Sequence, residues 1–153
     1  QRVWNALEPD ERQMPDLAIH AAQRLSMLGG EAHLARAWLL PVWEQLRTLS
    51  DSQKGKLVRA LESGLDTLDG AWLARLEAAH QQNPRDATLQ YLAGMACMKR
   101  QLWGKAQQQL TQAALGLQDA GLYRNAWRAL AVLAEQRGDD AAAAQAWKRA
   151  AQG

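Results

Sequence analysis

Apolar positions recur every three or four residues along this chain, the spacing that places them on one side of a helix. The pattern is sharpest in Leu89-Gln90-Tyr91-Leu92-Ala93-Gly94, which continues through Gln101-Leu102-Trp103-Gly104-Lys105-Ala106 to Leu110 and Ala113. Small residues at Gly94, Ala106 and Ala113 have bulky ones between them, which predicts two short antiparallel helices packed closely together. The same arrangement returns 37 residues later, with Leu130-Ala131 in the place of Ala93-Gly94 and Gly138-Asp139 at the turn. There Ala143, Trp147 and Ala150 replace Ala106, Leu110 and Ala113. Trp103, Trp127 and Trp147 fall at packing positions of this repeat, and aromatic bulk at such positions is expected inside.

Extending the register backwards gives four helical hairpins, over about 16–49, 50–83, 86–117 and 122–151, in one domain covering 1–153. Residues 1–12, with Val3, Trp4 and Leu7, read as the end of a preceding helix or a cap. Asp16 is expected to cap the first helix, whose apolar side is Leu17, Ile19, Leu25 and Leu28, and Gly29-Gly30 to stop it. Pro41 predicts a kink in the following helix, or a break that leaves Val42 to Leu49 as a short helix of its own. Ser50-Asp51 is the N-cap of the second hairpin and Asn83-Pro84 its end. Trp72 occupies the place held later by Ala106 and Ala143, so that pair of helices must sit further apart or tilt. Equivalent starts at Asp16, Gln53, Ala87 and Arg124 are 37, 34 and 37 residues apart. A helical hairpin repeated at such a period predicts an all-α solenoid, a stack whose main product is surface.

Composition agrees with helices. The chain has no Phe, seven Trp and two Tyr, and it is crowded with Ala, Leu, Gln and Arg. Net charge is +2; the first 84 residues hold 9 basic and 11 acidic side chains, and the rest 9 and 5. That mild positivity favours an acidic partner but lacks the clustered basic face of a nucleic-acid binder. Cys97 is the only cysteine, so the chain forms no internal disulfide, and it is expected to be a small buried hydrophobe. No apolar run approaches the eighteen or so residues of a membrane span. A chain that opens on Gln1 reads as a soluble piece of something longer.

Candidate chemistry is sparse. His20, His33 and His80 belong to three different helices, and none stands at a metal-binding spacing. There is no Cys-x-x-Cys-His attachment site for haem and no glycine-rich phosphate loop after a strand. Asp10-Glu11 and Asp139-Asp140 sit near helix starts, where acids compensate the dipole. The reading therefore assigns no catalytic residue, no cofactor and no metal. A binding face is the better candidate: Tyr91, Met95, Met98 and Lys99 on one helix, and Arg128, Val132 and Glu135 at equivalent places on another. Adaptable Met beside polar groups suits a protein partner.

The pairing of Leu89 to Gly94 with Gln101 to Ala106 resembles a tetratricopeptide repeat. Within that class the chain resembles the C-terminal region of the HemY family, haem-biosynthesis-associated repeat proteins of Gram-negative bacteria. The likeness rests on Trp4-Asn5-Ala6-Leu7, Leu28-Gly29, Asn83-Pro84-Arg85-Asp86, the Leu102 to Ala106 run, Leu133-Ala134-Glu135-Gln136 and Gly138-Asp139. The resemblance implies a parent protein held in the bacterial inner membrane by N-terminal helices absent from this chain. It also implies a soluble repeat region on the cytoplasmic face that acts as a non-enzymatic scaffold for haem-pathway enzymes. The alternative is a general peptide-binding or assembly repeat with no link to haem.

Overall fold

The computed structural model describes residues 15–152, and all of their regular elements are helical. The predicted N-terminal cap at 1–12 lies outside the described residues. The elements are α1 (Pro15–Met27), α2 (Ala32–Glu44), α3 (Asp51–Glu62), α4 (Gly70–Gln82), α5 (Ala87–Lys99), α6 (Trp103–Gly116), α7 (Ala120–Gln136) and α8 (Asp140–Gln152), with 3-10 turns at Leu46–Thr48 and Leu65–Thr67. Neighbouring helices pack as pairs, chiefly α1 with α2, α5 with α6 and α7 with α8. This is the all-α, solenoid-like hairpin class expected from the repeat.

The chain divides into two compact units between Leu68 and Asp69. That boundary falls inside the hairpin drawn over 50–83, so α3 belongs to the first unit and α4 to the second. Trp72 marks the difference in the sequence. The small residue that closes the later hairpins is replaced by a buried indole, with Arg75 over its ring, 5.1 Å from the centroid.

In the first unit, α1 stops where expected. Gly29 takes a left-handed conformation (φ +80°) and Gly30 donates to the Leu25 carbonyl at 2.8 Å, which satisfies one of the orphan acceptors at a helix end. Asp16 lies within the first turn of α1 and not ahead of it. Pro41 does not break α2, which runs on to Glu44 before a 3-10 turn. The carbonyl deprived of a donor belongs to Ala37, which is exposed, so water can replace the lost bond. Ser50 caps α3 as predicted, with a reciprocal bond to Gln53: the Ser50 hydroxyl accepts from the Gln53 amide at 3.1 Å, and the Gln53 side chain accepts from the Ser50 amide at 3.0 Å.

Arg36 is a feature the sequence pattern did not announce. It stands on α2 among apolar residues and is only 4% exposed. Its guanidinium donates to the carbonyls of Gly64 (3.0 Å) and Thr67 (2.9 Å) and to the Thr67 hydroxyl (3.2 Å). These acceptors lie just past the end of α3, where helix carbonyls lack partners and favour a cation. Gly64 is small for the same reason, since a Cβ there would lie 3.0 Å from the guanidinium.

In the second unit α5 packs against α4, α6 and α7. Gly94 lets α6 approach: a Cβ at that position would lie 2.8 and 2.9 Å from Leu110 Cγ and Cδ2. Ala106, Leu110 and Ala113 are all completely buried beneath it. Asp69, Asp86, Asp119 and Asp139 each accept a backbone N–H at the start of α4, α5, α7 and α8 respectively. Four helix starts are thereby fixed by one residue type.

Candidate functional site

The packing residues Gly94, Ala106, Leu110, Ala113, Ala143 and Ala150 are buried as the repeat requires. Two tryptophans are not. Trp103 is 40% exposed and Trp147 42%, so neither belongs to the interior where the repeat placed it. Trp103 is the first residue of α6, level with the point where α5 has already ended at Lys99. Little remains there to cover it.

Trp147 is displaced for a different reason. Its counterpart Leu110 enters the space that Gly94 leaves open, but the residue equivalent to Gly94 in α7 is Ala131. Ala131 carries the methyl group that Gly94 lacks, and Ala146, one position earlier on α8, is buried while Trp147 is not. The indole of Trp147 swings to the rim, where its Nε1 donates to the Glu135 carboxylate. Trp127 is half-buried: Arg149 lies 4.8 Å over its ring, and Tyr123 meets it edge-on with centroids 6.3 Å apart.

The candidate binding residues divide as well. Tyr91 is fully buried and is removed from the binding face. The physical reason is that α5 has apolar residues all round it, from Leu89 and Leu92 to Ala96 and Cys97, and is enclosed by three helices. A spacing of three and four residues from Tyr91 to Met95 and Met98 reads as one stripe, but the missing polar face was the stronger signal. Met95 and Met98 are half-buried, and Lys99 is exposed at the end of α5. Arg128, Val132 and Glu135 are all exposed along one side of α7, the helix beside α5. Arg128 donates to the Asn125 side chain at 3.3 Å, and Glu135 holds Trp147. An apolar edge of Val132 and Trp147 is thus flanked by charges of both signs.

Behind α5 lies a cleft of about 220 Å³ among α4, α5 and α6, lined by Glu77, His80, Cys97, Arg100 and Lys105 among others. Cys97 is buried, as expected of it. Burial pushes its thiol up from the ordinary value, against the opposing pull of Lys105 and Arg100. The shift is away from the reactive thiolate. Among the described residues no group of three or more His, Cys, Asp and Glu is placed to hold a metal ion, and no helix is long and apolar enough to cross a membrane. No family model, curated protein or solved structure matches this chain.

Proposed function

We propose that this chain is a non-enzymatic protein-interaction module whose recognition face runs along α5 and α7, from Met95, Met98 and Lys99 to Arg128, Val132 and Glu135, and is completed by Trp147 of α8. The observation that carries this reading is the exposed Val132–Trp147 edge, ringed by Arg128 and Glu135, on helices whose opposite sides are packed by alanine. A half-apolar, half-charged strip of this kind suits the rim and anchor of a protein interface better than a small-molecule cleft. The resemblance to the HemY family adds a partner class, haem-pathway enzymes, and a parent in the bacterial inner membrane with this region on its cytoplasmic face. A general assembly repeat uses the same face for other proteins, and partner identity separates the two.

The test is site-specific photo-crosslinking in bacterial cells, with the reactive group at Met98, at Val132 or at the exposed control position Ala78 on α4. Discrete adducts from Met98 and Val132, absent from Ala78, are expected. A Lys99→Glu, Arg128→Glu double variant should weaken capture about tenfold or more. Adducts containing porphyrin-pathway enzymes support the haem assignment. Equal labelling from all three positions would discard the proposed face.

A further inference from the structure

The junctions between successive hairpins in the second unit hold two clefts related by the repeat. One lies among α4, α5 and α6, and the other, of about 170 Å³, among α6, α7 and α8. Their linings correspond along the chain: Glu77 stands where Thr111 stands 34 residues later, and Arg100 where Arg137 stands 37 residues later. Both arginines cap the ends of their helices with the same backbone angles, φ −89° and ψ 3°. Their surroundings then diverge.

In the first cleft the molecule supplies its own carboxylate, since Glu77 lies 3.7 Å from the Arg100 guanidinium. In the second cleft no lining residue is acidic. Its polar groups are rich in donors instead. The indole Nε1 of Trp127 is buried without a hydrogen-bond partner. Arg149, stacked on that ring, makes no ion pair among the described residues, and Arg137 reaches Gln107 at 3.3 Å and, outside the lining, Asp139 at 3.7 Å. One repeat earlier the places of Trp127 and Arg149 are held by Gln90 and Gln112, whose amides bond each other at 2.8 Å. The earlier pair is closed on itself, leaving His80 Nδ1 as the unpartnered buried atom of that cleft, whereas the later pair leaves an indole donor unmet, a state that an acceptor would relieve.

We propose that the α6–α7–α8 cleft binds a carboxylate side chain from an acidic segment of a partner protein, in the place that Glu77 fills internally one repeat earlier. Guanidinium groups and an indole N–H match a carboxylate in charge and hydrogen bonding. The surrounding charge agrees with this. Of the five acids after residue 84, Asp86, Asp119 and Asp139 are spent on helix starts and Glu135 on Trp147, while nine basic residues occupy the same stretch. This site is separate from the α5–α7 face and stands or falls independently of it.

The test is a titration of the intact, nitrogen-15-labelled chain with N-acetylated, C-amidated triglutamate, following the Trp127 indole N–H resonance assigned through Trp127→Phe. A saturable shift of that resonance is expected, with none for the matching triglutamine. Arg149→Gln should weaken the affinity about tenfold. Thr111→Glu, which installs the counterpart of Glu77, should abolish binding; should it fail to fold, Arg149→Gln decides. An indole resonance that triglutamate leaves unmoved overturns the proposal. So does triglutamine binding as tightly, or a folded Thr111→Glu variant that binds as tightly as the parent.

Discussion

The third and fourth hairpins share a register, a turn geometry and a set of small residues, yet they place opposite kinds of side chain at their centres. In α5–α6 a glycine faces a leucine, and Leu110 is driven to complete burial. In α7–α8 an alanine occupies the glycine's place, Ala146 turns inward, and Trp147 is left at the rim. The change from glycine to alanine thus accompanies a different choice of buried residue on the facing helix. The turns show the same contrast. Gly138 adopts φ +78° after α7, and the residue at the corresponding place after α5 is Gln101, held at φ +62°. A non-glycine residue there is strained by the clash of its Cβ with the backbone.

Five substitutions separate the two hairpins, the largest effect first. Leu110→Ala should cost about 2–5 kcal/mol in urea unfolding, because it opens a cavity in a closed interior. Ala106→Leu, at a position with no exposed surface, should cost about 1–3 kcal/mol by overpacking. Trp147→Ala should cost less than Leu110→Ala, about 1–2 kcal/mol, because its hydrogen bond is exposed and its ring only partly covered. Gln101→Gly should raise stability by about 1 kcal/mol, while Gly138→Gln should lower it by a similar amount. A Trp147→Ala loss as large as that of Leu110→Ala would erase the distinction drawn between the hairpins.

Cys97 gives a pH-dependent reading of the third hairpin alone. Its folded thiol titrates above the ordinary cysteine range because burial disfavours the thiolate. Alkylation of the folded chain by iodoacetamide should therefore switch on at higher pH than alkylation of the urea-unfolded chain. Coincident profiles would show Cys97 to be open to water.

Helix positions, the Gly29 stop, the Ser50 cap and the alanine–glycine packing of the third hairpin were legible because each depends on neighbours within a few residues. The failures all depend on which residue faces which across an interface. The spacing of Tyr91 reads as a groove stripe, but three helices enclose α5; Trp147 stands at a packing position of the repeat, but its indole lies at the rim on Glu135. Arg36 shows the same limit, since its acceptors at Gly64 and Thr67 lie about thirty positions away and no periodicity connects them. The register extended back from the later repeats meets Trp72 where they carry alanine, and the two compact units divide just before it. Among the candidate binding residues, the exposed stripe of α7 was readable from its polar spacing. The donor-rich cleft beside it was not, because it is defined by the absence of an acid at Thr111.

The proposed interaction face and the proposed carboxylate cleft are both carried by the second unit, whose α5 and α6 close through Gly94 and Leu110. A double-mutant cycle of Gly94→Ala and Leu110→Ala measures this contact directly. Alone, Gly94→Ala should lower stability, as overpacking of about 1–3 kcal/mol outweighs about 1 kcal/mol gained from replacing a helical glycine. With Leu110 truncated the added methyl has room, and the same change should become stabilising by about 1 kcal/mol. An identical effect of Gly94→Ala in both backgrounds would mean that the two residues do not meet.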